Sequence, residues 1–220
     1  MFSSSWHQIS SCLPVGVNLL AVSKGHSATS IRCLAELGQK DFGESRLQEA
    51  LPKISSLQDI PDLRWHFIGR LQANKARAVL KAFAVIHSVD SLSLAERLSR
   101  IAGEELVRPE IMIQVKLRED PTKGGMSREQ FLKDWKTLSH LPNLKLKGLM
   151  TMPPMMFSLQ DRKELFIECR ELANQFSLSD CSMGMSSDWE EAVEAGATWL
   201  RLGSSLFGAR CPSLTNSSQI

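Results

Sequence analysis

The residue with the most evident chemical capacity is Lys24, an amine that directly follows a short apolar run. That run, residues 18–23, leads into the lysine and then into Gly25 and His26. A lysine in an apolar, partly desolvated position has a lowered pKa and can condense with an aldehyde. A lysine at a strand end can equally extend its amine into water. Position alone leaves both interpretations open, and His26 is interpreted as a solvated loop residue, with a proton carrier as the alternative.

Two segments near the other end of the sequence have the composition of an anion-binding site. Residues 182–186 read Ser-Met-Gly-Met-Ser and follow one apolar run, and residues 201–205 read Arg-Leu-Gly-Ser-Ser at the end of the next. Both offer hydroxyls and main-chain N–H groups, and Gly184 and Gly203 would let the backbone approach a phosphate closely. Because a Gly-Ser loop is more often only a turn, each segment is a weak signal by itself.

These segments can meet only in a fold that brings the first strand beside the last. Short apolar runs alternate with segments of helical spacing, which predicts repeated βα units and a parallel sheet. The near-continuous apolar character of the runs indicates strands that are covered on both faces. The predicted strands are Asn18–Val22, Lys40–Phe42, Arg64–Ile68, Ala84–His87, Glu110–Lys116, Lys145–Met150, Leu178–Cys181 and Thr198–Leu202.

Predicted helices separate these strands. The alternation favours a single α/β domain of the (β/α)8 TIM-barrel type, in which the loops after the strands build the site. An open, doubly wound sheet is the alternative. The domain is expected to span 1-220, with a core over about 17-210 and weakly packed ends. The predicted helices are Ala28–Leu37, Arg46–Ser56, Ala73–Lys81, Leu92–Leu106, Arg128–His140, Leu159–Phe176 and Ser187–Glu194.

Bulk composition narrows the class of protein. Of the 220 residues, 43% are hydrophobic and 23% are charged, as in ordinary globular domains. The formal net charge of +2 is too small to indicate a nucleic-acid or membrane-surface partner. No apolar run approaches the roughly 20 residues of a membrane helix, so a cytoplasmic protein with reduced thiols is expected. The cysteines lack zinc-ligand spacing and are expected to be free thiols: Cys12, Cys33, Cys169, Cys181 and Cys211.

Short motifs between about Leu19 and Arg210 carry a family resemblance. They are Ala-Val-Ser-Lys (21–24), Asp-Phe-Gly-Glu (41–44), Trp-His-Phe-Ile-Gly (65–69), Leu-Gln-Ala-Asn-Lys (71–75), His-Ser-Val-Asp (87–90), Lys-Gly-Leu-Met (147–150), Ser-Met-Gly-Met-Ser (182–186), Arg-Leu-Gly-Ser (201–204) and Phe-Gly-Ala-Arg (207–210). In this order they closely resemble the motifs of the pyridoxal phosphate homeostasis proteins.

The resemblance implies a fold like the barrel domain of alanine racemase, with pyridoxal 5'-phosphate (PLP) as cofactor and no metal. It implies a Schiff base between PLP and Lys24, and it implies that Arg201 faces the pyridine nitrogen. Ser182, Gly203 and Ser204 are expected to hold the phosphate. The expected cofactor-binding residues are Lys24, Ser182, Met183, Gly184, Arg201, Gly203 and Ser204.

The implied function is that of a PLP carrier in intracellular PLP homeostasis, without established catalytic turnover. Because a guanidinium stays protonated, a ring nitrogen that faces Arg201 stays unprotonated, and the cofactor becomes a weaker electron sink. The sequence contains no tyrosine, and ten residues follow Arg210. A two-base racemase of the alanine type would therefore lack its second base and its second domain. The expected recipients of PLP are apo forms of PLP-dependent enzymes, and a monomer is the expected state.

Two alternative functions stay open. A racemase-like PLP enzyme could use Lys24 as its base, and a metabolic barrel enzyme could bind another phosphate compound at the same loops. His66 and His87 are interpreted as hydrogen-bonded structural residues rather than bases. Where relatives often have asparagine and threonine, this chain has Ser45 and Ser204. The sequence does not decide whether Ser45, His66 or Asn74 contacts the cofactor.

Overall fold

The computed structural model describes residues 2–208, in which parallel strands alternate with helices. The predicted strands are all present, with shifts of at most a few residues at their ends. The strands are β1 (Asn18–Val22), β2 (Asp41–Glu44), β3 (Arg64–Phe67), β4 (Val85–Val89), β5 (Glu110–Lys116), β6 (Met126–Ser127), β7 (Lys145–Met150), β8 (Asp180–Ser182) and β9 (Trp199–Leu202).

The strands form a closed ring rather than an open sheet. β1 pairs with β2 on one side and with β9 on the other, while β4 pairs with both β3 and β5. Eight strands thereby close into one parallel barrel, and β6 adds only to the end of β5. The (β/α)8 prediction is confirmed. The open-sheet alternative is wrong, because the strands that would form its edges are paired with each other.

Helices cover the outside of the barrel, and several begin at a serine cap. The side chains of Ser27, Ser91, Ser127 and Ser158 each accept a hydrogen bond from a main-chain N–H in the first turn of their helix. A short 3-10 helix covers Ala73–Lys75. The α-helices are α1 (Phe2–Cys12), α2 (Ala28–Glu36), α3 (Leu47–Ser56), α4 (Ala76–Ala82), α5 (Leu92–Glu104), α6 (Arg128–Leu138), α7 (Leu159–Gln175), α8 (Trp189–Glu194) and α9 (Ser204–Phe207).

Buried apolar side chains form two groups, one on each side of the strand wall. Leu19 and Ala21 of β1 belong to the larger group, between the strands and the helices, whereas Leu20 belongs to the smaller one. This alternation follows from the opposite directions of successive side chains in a strand. The smaller group fills part of the barrel interior and consists of Leu20, Met112, Met150 and Trp199.

The first residues form a helix, although the sequence predicts a weakly packed end. Trp6 and Ile9 of α1 pack against the larger apolar group, and the Trp6 indole Nε1 donates to Gln39 Oε1 at 3.0 Å. A few apolar residues at helical spacing therefore suffice to place a serine-rich helix on the barrel, and the weak packing of this end stays a prediction. The expected loose C-terminal end falls within residues 209–220, which lie outside the described part of the chain.

Two further expectations concern thiols and membranes. The four cysteines within the described residues are free thiols: Cys12 and Cys33 are exposed, and Cys169 and Cys181 are buried. Cys211 lies outside that range. Over residues 2–208, every helix is too short or too polar to cross a bilayer.

Candidate functional site

A cavity opens at the mouth of the barrel where β1 and β9 end. The two strands are neighbours, with Ala21 opposite Leu202, so the turns that follow them lie side by side. One turn contributes Lys24 to the cavity wall, and the other contributes Gly203 and Ser204. The cavity has a volume of about 260 Å³ and is lined by Val22, Lys24, His26, Gly203, Ser204 and Gly208.

His26 lines this cavity and is not a freely solvated loop residue. Its side chain is half-buried. Its ring stacks on Phe207, with 4.5 Å between the ring centroids and 16° between the planes. The expectation of a solvated histidine is therefore wrong, because α9, an element that the sequence does not predict, brings Phe207 against the turn after β1.

Polar contacts on the helix side of the barrel wall hold the residue before Lys24. The buried Ser23 hydroxyl donates to Glu44 Oε1 at 2.7 Å. The Ser23 carbonyl accepts from Lys53 Nζ at 2.9 Å. Glu44 is the last residue of β2, and Lys53 lies in α3, so two neighbouring elements fix the end of β1 from which Lys24 projects.

Glu44, Glu49 and Lys53 form a largely buried ion cluster, here called the Lys53 cluster, in which the Glu49 side chain is 28% exposed. Lys53 Nζ lies 2.7 Å from Glu44 Oε1 and 2.7 Å from Glu49 Oε1. Glu49 Oε1 also accepts a hydrogen bond from the Gly25 N–H, on the far side of Lys24. The Glu44 side chain is 0% exposed and that of Lys53 is 10% exposed. The sequence analysis missed this cluster, although the i,i+4 spacing of Glu49 and Lys53 is a usable signal.

For each of the two carboxylates in the Lys53 cluster, burial raises the pKa and hydrogen bonding lowers it. Burial raises the pKa of Glu44, and hydrogen bonds from Lys53 and Ser23 offset only part of that effect. Burial also acts on Glu49, but hydrogen bonds from Lys53 and Gly25 outweigh it and lower the pKa. Glu44 Oε2 is buried and has no hydrogen-bond partner. A cluster with two carboxylates and one cation depends strongly on that cation.

Arg201 lies inside the barrel, where it is almost fully buried. Its Nη1 donates to Ser182 Oγ at 2.9 Å, and its Nη2 donates to the Thr151 carbonyl at 3.0 Å. Burial lowers the pKa of Arg201 to about 10, while the charge of Asp188 acts in the opposite direction. The guanidinium is therefore still protonated at neutral pH.

The segment after β8 is packed into protein rather than open to the cavity. The Met183 side chain belongs to the larger apolar group. Gly184 has a φ of +85°, and a Cβ there would lie 2.6 Å from Ala192 Cβ. The backbone turn and the contact with α8 therefore already account for this glycine. The Ser182 hydroxyl is engaged with Arg201. The roles of Ser182, Met183 and Gly184 in cofactor binding stay predictions.

Ser45 and Asn74 lie at neighbouring grooves. Ser45 borders a groove with Arg70, and exposed Asn74 borders another with Asp90. Neither residue is part of the wall of the cavity that holds Lys24. His66 and His87 are both buried and hydrogen-bonded to each other, which confirms that they are hydrogen-bonded residues of the strands.

Comparisons of sequence match the chain to known proteins over nearly its whole length. The profile described as alanine racemase, N-terminal domain, matches residues 2–211. The pyridoxal phosphate homeostasis protein of Synechocystis sp. is 47% identical over 217 residues, which cover 96% of this chain and 100% of that protein. That of Escherichia coli is 35% identical over 207 residues, which cover 90% and 87%.

Comparisons with solved structures agree with the sequence matches. PipY of Synechococcus elongatus, solved with PLP bound, has a TM-score of 0.90 and 44% identity, covering 94% of this chain and 100% of that one. Alanine racemase of Clostridium difficile has a TM-score of 0.77 at 14% identity, and the match covers 96% of this chain and 57% of the racemase. At that identity the likeness shows the fold alone.

Proposed function

The chain belongs to the pyridoxal phosphate homeostasis proteins, within the alanine racemase N-terminal domain family, and we propose that it binds PLP at the barrel mouth. One observation carries the proposal: Lys24 shares a cavity with the Gly203–Ser204 turn, and the buried guanidinium of Arg201 precedes that turn by two residues. The amine matches the aldehyde of PLP, and the turn with its hydroxyl and main-chain groups matches the phosphate. The cation matches the ring nitrogen. The PLP bound in PipY supports the proposal.

Each group has a distinct part in holding the cofactor. Lys24 is the amine that would condense with the aldehyde carbon and release its oxygen as water, and the Lys53 cluster keeps the turn of Lys24 in place. The Ser204 hydroxyl and the main-chain N–H groups of Gly203 and Ser204 donate hydrogen bonds to the phosphate. The charge of Arg201 disfavours a proton on the ring nitrogen that it faces. PLP supplies an electron sink when it is bound, and an unprotonated ring nitrogen weakens that sink.

We further propose that the protein carries PLP without rapid turnover and takes part in intracellular PLP homeostasis. The charged state of Arg201 at neutral pH and the absence of tyrosine from the sequence support this. A cytoplasmic monomer that passes PLP to apo-enzymes is the form in which we expect it to act.

The proposal is tested by the state of the purified protein. Native mass spectrometry should detect one PLP per chain, and borohydride reduction should fix it on Lys24. Lys24→Ala should abolish both the fixed adduct and the visible absorption of bound PLP. Lys123→Ala is the matched control, since Lys123 is also a largely buried lysine, with 16% of its side chain exposed, outside the cavity wall. An adduct that survives in Lys24→Ala contradicts the proposal.

A second experiment addresses turnover. The loaded protein is incubated with a panel of amino acids in deuterated buffer, and exchange of the α-proton is followed by NMR. No exchange at enzymatic rates is expected. Exchange at ordinary enzymatic rates that is lost in Lys24→Ala would instead support a racemase-like enzyme with Lys24 as its base.

A further inference from the structure

A continuous series of hydrogen bonds crosses the barrel interior from Asp41 to Arg201. Asp41 Oδ1 lies 2.8 Å from His66 Nε2, and His66 Nδ1 lies 2.9 Å from His87 Nε2. His87 Nδ1 lies 2.8 Å from Ser182 Oγ, which accepts from Arg201 Nη1. These five residues are here called the interior network. Asp41 begins β2 and Ser182 ends β8, so in a parallel barrel the network runs from the floor toward the mouth.

The two histidines of the interior network are held in their neutral form. Both are 0% exposed, and the Trp199 ring lies 4.8 Å from the His66 ring and 6.1 Å from the His87 ring. Burial lowers the pKa of His66, although Asp41 acts in the opposite direction. Burial is the main cause that holds the pKa of His87 well below its ordinary value, and the positive charge of Arg201 lowers it further. Each ring therefore carries a single N–H at neutral pH.

The two ends of the interior network set the direction of every hydrogen bond between them. An ionised carboxylate only accepts hydrogen bonds, and a guanidinium only donates them. His66 must donate from Nε2 to Asp41, so its Nδ1 accepts from His87 Nε2. His87 Nδ1 is then an acceptor, and it takes the hydroxyl hydrogen of Ser182. The Ser182 oxygen accepts from Arg201. The reverse direction would set two acceptors against each other at Asp41.

We infer that Asp41, His66, His87 and Ser182 are positioning residues that orient the Arg201 guanidinium toward the PLP ring. The inference rests on the proposed function and deepens it, because it makes cofactor affinity depend on residues at the barrel floor. It also assigns Ser182 to the ring end of the cofactor. The hydroxyl hydrogen that a phosphate oxygen would need is already donated to His87.

The first test uses the cofactor-free protein, so that it does not depend on PLP. The chain has five histidines, and ¹⁵N-histidine NMR with single-residue variants for assignment reads the tautomer of each ring. At pH 7, His66 and His87 should both be neutral, with a proton on Nε2 and none on Nδ1. A protonated Nδ1 on either ring, whether neutral or cationic, overturns the inference.

The second test measures the affinity and the absorption maximum of bound PLP. Asp41→Ala and His87→Leu should weaken PLP binding by about 3- to 10-fold, the range typical of coupling along such networks, and should shift the absorption maximum. Asp41→Asn and His87→Asn each restore an acceptor oxygen, so they should recover most of the affinity. Met112→Leu, which changes another buried interior side chain, should leave both quantities unchanged.

The outcomes separate the two levels of the hypothesis. If the parent protein binds no PLP, the proposed function fails, and the NMR experiment still decides whether the interior network has the inferred direction. If the parent binds PLP and the Asp41→Ala and His87→Leu proteins bind it equally well, the positioning inference fails alone. Should either of these variants not fold, the corresponding asparagine variant is compared with Met112→Leu. Full affinity, with each remaining histidine of the network in the tautomer of the parent protein, supports the inference. An affinity loss above threefold overturns it.

Discussion

Two buried polar networks lie behind the site, and they differ in position and in charge. The Lys53 cluster lies between the barrel wall and α3 and holds the turn of Lys24 through ion pairs. The interior network lies inside the barrel and holds Arg201 through two neutral histidines. No hydrogen-bonding residue belongs to both. The two ends of the proposed ligand therefore have separate supports, which should fail independently and under different conditions.

The two networks respond to different kinds of damage for a physical reason. A buried ion cluster loses most when one partner is removed, because the remaining charge stays buried without compensation. The interior network carries its charges only at its two ends. Each neutral ring between them has an ordinary pKa near neutrality and can take up a proton. The Lys53 cluster should therefore be sensitive to substitution, and the interior network should be sensitive to mild acid.

The largest effect is expected from the loss of the only cation in the Lys53 cluster. Lys53→Met leaves the buried Glu44 carboxylate without a counter-ion and removes the nearest cation from the partly exposed Glu49, and it should lower the free energy of unfolding by about 3–5 kcal/mol. Lys163→Met is the matched control, because Lys163 pairs with Glu194 where the two side chains are 35% and 62% exposed. The control should change stability by less than about 1 kcal/mol. Urea denaturation measures both, and equal losses would remove the contrast between buried and exposed pairs.

The next effect compares two glycines in the turns that follow the neighbouring strands β8 and β9. Gly184→Ala forces a positive φ on alanine and a clash with Ala192, and should lower stability by about 2–4 kcal/mol. Gly203 has a φ of −118°, and a Cβ there would lie 3.4 Å from the Val22 carbonyl oxygen. Gly203→Ala should therefore fold normally but bind PLP more weakly. Thermal unfolding and PLP titration test the pair, and normal PLP binding by Gly203→Ala would remove this glycine from the phosphate turn.

Much of the fold is predictable from the sequence, because a short run of apolar residues indicates a strand that is buried on both faces. The sequence predicts the bounds of β1, β5 and β7 as the structure has them. It misses β6, which has two residues, and α1, in which serines dilute the apolar pattern. Both elements are too short or too polar to leave a clear period.

The residues that support the candidate site are less predictable from the sequence than the residues that line its cavity. Lys24 and the Gly203–Ser204 turn follow from their positions at strand ends, and they do meet at one cavity. The interior network depends on which strands become neighbours and on which side chains point inward. His87 and Ser182, for instance, are 95 positions apart in sequence yet 2.8 Å apart in space. Neither the type nor the spacing of these two residues indicates that contact.

The third effect is a dependence of stability on mild acid that originates in the interior network. Folding lowers the pKa of His66 and His87 from the ordinary value of 6.5, so the unfolded chain binds more protons below that pH. Their contribution is therefore complete above pH 6.5 and is lost as the pH falls. For His87, whose pKa is held well below 6.5, the loss is about 1 kcal/mol over the first pH unit below that value. Glu44 cannot produce the same pH dependence, because folding raises its pKa, and a raised pKa makes stability fall as the pH rises.

Urea denaturation between pH 7.5 and 5.5, at constant ionic strength, measures this slope. His87→Asn removes one of the two titrating rings and should flatten the slope. An unchanged slope in His87→Asn would show that His87 does not titrate on unfolding in this range, and the contrast in acid sensitivity between the two networks would fail.

The smallest expected effect is the coupling between the two networks. Ser23→Ala removes a hydrogen bond to Glu44 in one network, and His87→Leu breaks the other. Because the two sites share no partner, their losses of stability should add to within about 0.5 kcal/mol in a double-mutant cycle. A cycle of Asp41→Ala with His87→Leu lies within one network and should depart from additivity by about 1 kcal/mol. Strong coupling in the first cycle would mean that the barrel wall transmits changes between the Lys24 turn and Arg201, so that the cofactor has one support rather than two.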